Sequence, residues 1–150
     1  MKKVGIIGCG NIAQVHAWAL GTIKDVKIEA LCDIEIQKAE KLADKAPVVI
    51  TEKWESFLES DLDVIHVCTP HFLHAPMALE ILKRGKAVFV EKPCAISLEQ
   101  FNELKKADSE HPGKLGFCFQ NRYNETTLLI ERIMSEGRIG NILGGRAFVT

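Results

Sequence analysis

The sequence predicts an α/β fold, a doubly wound parallel sheet with helices on both faces, and three observations predict it. Short apolar runs of strand length recur along the whole chain. Longer segments with apolar residues at helical spacing lie between them. A glycine-rich turn joins the first strand-like run to the first helical segment. Such alternation is typical of βαβ units, whose strands are buried on both faces and are therefore almost continuously apolar.

The first βαβ unit has the ordered parts of a dinucleotide site, beginning V-G-I-I-G-C-G-N-I-A. Gly8 can take the sharp turn out of the strand, and Gly10 lets the backbone approach a pyrophosphate. The helix that opens at Asn11 and Ile12 offers unpaired N–H groups to the phosphates. Asp33, about 20 residues beyond the turn, can accept the ribose hydroxyls. The alternative is a plain βαβ unit whose glycines only form a turn.

The remaining elements follow in order, and each boundary has a local signal. Ser97 and Gln100 stand in capping-box positions, Pro76 suits a first helical turn, and Gly85 and Gly137 suit helix ends. The strands are expected at 4–7, 28–32, 48–50, 63–69, 86–91 and 115–119, and the helices at 12–23, 35–45, 54–58, 76–84, 97–109 and 125–136.

The end of the chain does not fit the first domain. Six strands complete a nucleotide-binding sheet near residue 119, and a further helix and a weakly alternating run at 142–149 follow. A lone strand exposes an unpaired edge and is not stable alone. We therefore expect a dinucleotide-binding domain at 1–121, with 122–150 forming a linker helix and the first strand of an absent α+β substrate domain. The alternative is a homo-oligomer in which this strand pairs with a second copy.

Composition excludes several classes of function. The 150 residues carry a net charge of −1 and no basic block, so neither nucleic acid nor a membrane surface is an expected partner. No apolar stretch approaches the ~20 residues of a membrane span. The five cysteines are odd in number and lack paired spacing, which favours a reducing, cytoplasmic location.

Two more loops follow strand ends, where open α/β sheets bind ligands. Their sequences are T-P-H-F-L-H at 69–74 and E-K-P at 91–93. With the glycine turn, the A-L-C-D ending and G-F-C-F-Q-N-R-Y-N, they make the chain resemble the amino-terminal half of the Gfo/Idh/MocA oxidoreductases. The resemblance implies a Rossmann domain of an NAD(P)-dependent enzyme that acts on sugars, polyols or related small hydroxy compounds.

The resemblance also assigns candidate roles to individual residues. Lys92 resembles the catalytic lysine of E-K-P, which moves the hydroxyl proton as hydride leaves. Burial and the positive charge of an oxidised nicotinamide both favour the neutral amine that this step needs. Glu91 would oppose that effect if its carboxylate faced the lysine, whereas the resemblance implies a contact on the cofactor side.

The loop after the fourth strand is expected beside the nicotinamide ribose, with Thr69, Pro70, His71 and His74 as cofactor contacts by resemblance. Cys68, His71 and His74 have a spacing that could suggest zinc, but Cys68 lies inside a strand and no fourth ligand is evident, so no metal is expected. His16 and His66 fall within a helix and a strand, where they are interpreted as packing residues.

The residue after Asp33 indicates which cofactor is used. Ile34 stands where an arginine would accept a 2′-phosphate. A carboxylate facing that phosphate costs on the order of 4 kcal/mol at about 4 Å and an effective dielectric near 20, before screening. We expect NAD rather than NADP.

Two functional hypotheses stay open. The first is the cofactor domain of a dehydrogenase or reductase that is inactive as the isolated 150 residues, whose net reaction is either redox or a transient-redox isomerisation or hydrolysis. The second is a non-catalytic NAD-binding sensory or regulatory module. The E-K-P lysine favours the first, because a pure binder has no need of it.

Overall fold

The computed structural model describes residues 1–44 and 46–146, and its first unit is a six-stranded, wholly parallel sheet in the order β3-β2-β1-β4-β5-β6. This order confirms the doubly wound fold predicted from the alternation of elements. The strands are β1 Lys2–Ile7, β2 Val26–Cys32, β3 Val49–Thr51, β4 Val64–Val67, β5 Ala87–Val90 and β6 Leu115–Phe117.

Five of the six predicted helices are α-helices close to the expected bounds, whereas the helix expected at 54–58 is a 3₁₀ turn. The α-helices are α1 Asn11–Gly21, α2 Ile36–Ala43, α3 His74–Lys83, α4 Leu98–Glu110 and α5 Glu125–Ser135, with short 3₁₀ turns at Trp54–Phe57, His71–Leu73 and Gln120–Tyr123. Ser97 Oγ accepts from Gln100 N at 3.2 Å, and Gln100 Oε1 accepts from Ile96 N at 3.1 Å. These reciprocal bonds confirm the predicted start of α4.

The core has one apolar layer on each face of the sheet. Successive residues of β1 point to opposite faces, so Ile6 belongs to one layer and Ile7 to the other. Ala13 of α1 is completely buried in the first layer, whereas Ile81 of α3 is completely buried in the second. Burying each such isoleucine side chain contributes about 1.5–3 kcal/mol, and the layers hold the carboxyl ends of the strands in place.

The direction in which successive strands are added to the sheet reverses between β1 and β4. From β1 the chain adds β2 and β3 on one side, and it then adds β4, β5 and β6 on the other side. Both β2 and β4 pair with β1, so the loops after β1 and β4 diverge and leave a crevice at the carboxyl edge. This reversal is the point at which open α/β sheets bind ligands.

Residues from Phe119 onward form a separate compact unit, which contains α5. Asn124 Oδ1 accepts from Thr127 N at 2.8 Å and caps this helix. The prediction of a strand at 142–149 is wrong for Ile142 to Arg146, because these residues have no regular secondary structure. The remaining residues of the expected strand, 147–149, lie outside the described residues. That this segment begins a further domain stays a prediction.

No helix in the described ranges combines the length and the apolar character needed to cross a bilayer.

Candidate functional site

The glycine turn between β1 and α1 contains two glycines that the structure requires for different reasons. Gly8 has a φ of +86°, and a Cβ on it would lie 2.7 Å from the carbonyl carbon and oxygen of Cys68. No other residue fits there without moving the backbone. Gly10 has an ordinary φ of −75°, and a Cβ on it would meet no atom within 4 Å. Its missing side chain therefore leaves open space in the crevice.

The N-terminus of α1 opens into the same space. Gly10 is its N-cap, no side chain caps the helix, and no acidic residue lies in its first turn. The first N–H groups, from Asn11 and Ile12 onward, are thus free of intrahelical partners and carry the positive end of the helix dipole. Burial and then the charge of Asp33 raise the pKa of Cys9 to about 12, so its thiol adds no negative charge to the turn. This end of the helix suits an anion.

Asp33 is fixed beside the turn by two backbone donors. Its Oδ2 accepts from Cys9 N at 2.7 Å and its Oδ1 accepts from Glu35 N at 2.9 Å. Each carboxylate oxygen keeps further acceptor capacity, and the group is half-buried at the edge of the crevice. Ile34 is 85% exposed and supplies no positive charge. The carboxylate can accept hydroxyl groups of a ligand that enters the crevice.

These parts surround one cleft of about 490 Å³. Its volume lies in the usual range for small-molecule sites. Phe72, Leu73 and Met77 supply much of the apolar wall on the β4 side. Among the residues predicted to bind a cofactor, the cleft brings together Gly8, Gly10, Asn11, Ile12, Asp33, Thr69 and Pro70. The other predicted residues, His71, His74, Glu91 and Lys92, are not among its lining residues.

The two histidines of the β4 loop differ in exposure. His71 is exposed on the 3₁₀ turn, whereas the His74 side chain is completely buried. His74 Nδ1 lies 2.7 Å from the carbonyl oxygen of Pro93, and its Nε2 lies 2.8 Å from that of Thr69. Both ring nitrogens are therefore engaged within the protein, and the direct cofactor contact expected for His74 does not match this buried position.

The Glu91 carboxylate also points into the protein. Its Oε1 lies 3.0 Å from His16 Nε2, and its Oε2 accepts from the backbone N–H of Lys92 at 3.0 Å. Glu91 is 4% exposed. The carboxylate thus faces neither the Lys92 ammonium nor the cleft, which differs from both orientations considered from the sequence.

Lys92 itself is exposed at the end of β5, and the described residues place no hydrogen-bond or ion-pair partner on its ammonium. The partial burial expected around this lysine is not present in these residues. Its amine is free to meet a ligand that lies over the carboxyl edge of the sheet.

Behind Glu91 lies a histidine network that the sequence interpretation missed. His16 Nδ1 and His66 Nδ1 are 2.8 Å apart, and the two rings meet edge to face. Because a carboxylate only accepts, His16 Nε2 carries the hydrogen toward Glu91. His16 occupies the buried face of α1 with Ala13 and Leu20, and a polar side chain on such a face was the signal that a buried partner exists.

The charges of this network follow from its surroundings. Burial, and then the adjacent His16 ring, lower the pKa of His66 to about 4, so His66 is neutral at ordinary pH. Burial of the Glu91 carboxyl favours its neutral form. Hydrogen bonds from His16, the Cys118 thiol and the following backbone N–H outweigh that effect and hold the pKa of Glu91 below its ordinary value. Glu91 is therefore a carboxylate anchored from three sides.

The same side chains form one possible metal-ligand set within the described ranges. One ligand atom each of His16, Glu91 and Cys118 lies within 4.8 Å of the others. The 3.0 Å separation between His16 Nε2 and Glu91 Oε1 is a hydrogen-bond distance, and this bond accounts for both atoms without an ion. The spacing suggested by Cys68, His71 and His74 does not form a ligand set, because both nitrogens of His74 face carbonyl oxygens.

Comparisons with known proteins identify the family to which this fold belongs. Residues 2–117 match the Gfo/Idh/MocA family model, described as an oxidoreductase family with an NAD-binding Rossmann fold. Glucose-6-phosphate 3-dehydrogenase of Bacillus subtilis is 34% identical over 143 residues, which cover 95% of this chain and 41% of that protein. Inositol 2-dehydrogenase of Rhizobium meliloti is 28% identical over 140 residues, with 93% and 42% covered.

Solved structures share the fold over most of the chain. The myo-inositol 2-dehydrogenase of Lactobacillus plantarum superposes with a TM-score of 0.86 at 26% identity, covering 94% of this chain and 43% of that one. The WlbA dehydrogenase of Bordetella pertussis, in complex with NADH and UDP-GlcNAcA, gives a TM-score of 0.87 at 27% identity, covering 93% and 42%. The chain thus spans about two fifths of the length of these relatives. It belongs to the Gfo/Idh/MocA oxidoreductase family, through that family's NAD-binding Rossmann domain.

Proposed function

We propose that this chain is the cofactor-binding part of an NAD-dependent dehydrogenase or reductase that acts on a sugar, a polyol or a related small hydroxy compound. The observation that carries the proposal is the convergence of three features on one cleft: the open space at Gly10, the uncapped N-terminus of α1 and the anchored carboxylate of Asp33. The relatives named above, which include sugar and inositol dehydrogenases, support the substrate class.

The residues present fit the cofactor. The space that a Cβ on Gly10 would fill is available to a pyrophosphate, and the free N–H groups from Asn11 and Ile12 would hold it. Asp33 would accept the hydroxyls of the adenosine ribose. Thr69 and Pro70 would hold the nicotinamide half, because they line the cleft beyond the turn. His71, exposed on the same loop, is a further contact proposed by resemblance.

Lys92 is proposed as the proton-transfer residue. Oxidation of a hydroxyl to a carbonyl breaks an O–H and a C–H bond. Bound NAD supplies the acceptor for the hydrogen that leaves carbon with its electron pair. The neutral amine of Lys92 takes the oxygen's proton and becomes the ammonium, and the reverse transfer serves reduction. The orientation of Glu91 supports this role, because its carboxylate binds His16 and leaves the Lys92 ammonium unpaired.

The second candidate is a non-catalytic NAD-binding module. The exposure of Lys92 is compatible with it. The E-K-P lysine at the edge of the sheet favours the catalytic proposal.

The test is a titration of the 150-residue chain with NADH, followed by nicotinamide fluorescence, for the wild type and for Gly10→Ala. The added methyl group has room and an allowed φ, so the variant folds as the wild type does. It occupies the space proposed for the pyrophosphate, so we expect NADH affinity to fall by about tenfold or more.

Gly21→Ala is the matched control. Gly21 lies at the opposite end of α1, and a Cβ there also meets no atom within 4 Å. We expect this variant to bind NADH as the wild type does. Equal affinity in all three proteins, or no saturable binding by the wild type, would contradict the proposed site.

A further inference from the structure

We propose that His74 is a positioning residue whose doubly protonated ring ties the β4 loop to the Lys92 loop and sets the distance between them. The consequence for cofactor binding rests on the proposed function, whereas the protonation state of the ring is inferred from the contacts of its two nitrogens.

The two contacts of the ring require two hydrogens. The Pro93 carbonyl oxygen is 2.7 Å from Nδ1 and the Thr69 carbonyl oxygen is 2.8 Å from Nε2. Carbonyl oxygens only accept, and a neutral imidazole has one N–H and one lone pair. A neutral ring would therefore place a nitrogen lone pair against an oxygen lone pair at hydrogen-bond distance. With its two nitrogens on these two oxygens, only the imidazolium donates to both.

Burial makes the two bonds necessary. The ring of His74 is completely buried, and a charge removed from water is tolerated only when its hydrogen-bonding groups are satisfied. Each of its N–H groups has a carbonyl partner, and charge-assisted bonds of this kind are about twice as strong as neutral ones. No buried side-chain nitrogen or oxygen in the described ranges lacks a partner, and that includes both nitrogens of this ring.

The titratable side chains on the joined elements fit a cation at this place. His71 precedes it by less than one helical turn, with 5.6 Å between ring centroids. Burial raises the pKa of the Cys68 thiol at the end of β4, so that group is neutral. In the loop after β5, the Glu91 carboxylate forms a hydrogen bond with His16, and Lys92 and Cys94 flank Pro93. Among residues 1–44 and 46–146, no carboxylate forms a hydrogen bond with the ring, so the two carbonyl dipoles would stabilise the charge.

The position of His74 explains which parts of the proposed site its two hydrogen bonds hold together. Thr69 follows β4 and lines the cleft, while Pro93 directly follows Lys92 at the end of β5. His74 is the first residue of α3, so one side chain connects a helix, a cleft-lining loop and the loop of the proposed proton-transfer residue. Loss of one N–H would deprive one of the two carbonyl oxygens of this donor and release one loop from the other.

The first experiment reads the ring nitrogens directly in the wild-type chain. Long-range ¹H–¹⁵N spectra of protein labelled at its five histidines distinguish an imidazolium, whose two nitrogens resonate together, from a neutral ring, whose nitrogens separate widely. We expect the His74 ring at neutral pH to show the imidazolium pattern with two protected N–H hydrogens. An unprotonated nitrogen in this ring would overturn the proposal. Comparison with His74→Gln, or through-bond connection to its backbone if that variant does not fold, assigns the signal.

The second experiment measures NADH binding to His74→Gln. An amide cannot present N–H groups on opposite sides as the ring does, so one carbonyl loses its donor. We expect NADH affinity to fall by about tenfold, with the folded spectrum retained. His111→Gln, the same substitution in the turn after α4, is the control and should bind as the wild type does.

The outcomes separate the two proposals. Wild-type affinity in a folded His74→Gln would overturn the positioning role. Failure of that variant to fold leaves the decision to the ring nitrogens of the wild type. A wild-type chain that does not bind NADH would contradict the proposed function, while the nitrogen signals would still decide the protonation state of His74.

Discussion

At the scale of single residues, the two glycines of the β1–α1 turn differ in backbone conformation and in the space around them. Gly8 combines a positive φ with backbone atoms 2.7 Å from the position of a Cβ, whereas the same position at Gly10 is empty. Gly8 therefore matters for the stability of the fold, whereas the open space at Gly10 is the place proposed for a ligand. A glycine-rich sequence motif that contains both Gly8 and Gly10 does not reveal that their surroundings differ.

The first prediction concerns Gly8→Ala. We expect it to lower the free energy of unfolding by about 2–4 kcal/mol, because strain at a positive φ adds to a clash with the backbone of Cys68. Gly113→Ala is the matched control, since Gly113 has a φ of +76° but open space around a Cβ. Urea unfolding of both variants measures the difference. Equal losses would show that the clash at Gly8 contributes nothing.

A second residue-scale prediction concerns cofactor choice. We expect NADH to bind more tightly than NADPH, because the Asp33 carboxylate would face the 2′-phosphate of NADPH. Asp33→Asn removes the charge and keeps an oxygen acceptor for one of the two backbone donors, so the preference should shrink. Parallel titrations with both nucleotides check this. NADPH binding as tightly as NADH to the wild type would contradict it.

The sequence predicts the residues of the cleft well because their signals are local. Gly8, Gly10 and Asp33 lie within one βαβ unit, and their order and spacing indicate a shared ligand. The partners of Glu91 and His74 are not predicted. Glu91 meets His16 across 75 positions, and His74 reaches Pro93 across 19. Periodicity places such residues on a buried face, but it does not specify which polar groups meet there.

At the scale of elements, the Glu91 network joins three parts of the fold. His16 lies on α1, His66 on β4, and Glu91 directly follows β5. His66 and Phe89 are also opposite each other in the β4–β5 pair, with ring centroids 5.1 Å apart. The network thus links the helix at the glycine turn to the strand that carries Lys92.

This linkage makes stability depend on pH. The pKa of His66 is about 4 in the folded chain and 6.5 when unfolded, so below pH 6.5 the unfolded state binds the additional proton. The contribution of neutral His66 to the free energy of unfolding is therefore fully present above pH 6.5, and it falls as the pH drops toward 4, by on the order of 3 kcal/mol. Urea unfolding at a series of pH values measures the fall. His66→Gln should show a shallower decline, and an unchanged slope in that variant would contradict the neutral state of His66.

At the scale of the whole molecule, the chain contains the cleft proposed for the cofactor and spans about two fifths of the length of its relatives. Its second unit, from Phe119 onward, contains α5, whose Leu128, Leu129 and Ile130 are about half exposed. Assembly into a homo-oligomer stays a prediction of the sequence interpretation.

The corresponding prediction is that the isolated chain binds NADH but turns over little or nothing. Lys92 is exposed and does not line the cleft, so we expect that a substrate is not held beside it for hydride transfer. Absorbance assays with NAD and a panel of inositols and sugars check this. A substantial rate would show that the 150 residues form a complete active site.

The central claim is that NAD occupies the cleft at the β1–β4 reversal, and backbone chemical-shift mapping of the chain with NADH tests it most directly. We predict saturable changes at the N–H groups of Gly8, Gly10, Asn11 and Thr69. A separate apolar cavity of about 300 Å³ lies between α1, β2 and α2, lined in part by Leu20, Leu31 and Leu42. Shifts confined to that cavity, or no saturable shifts at the glycine turn, would contradict the claim.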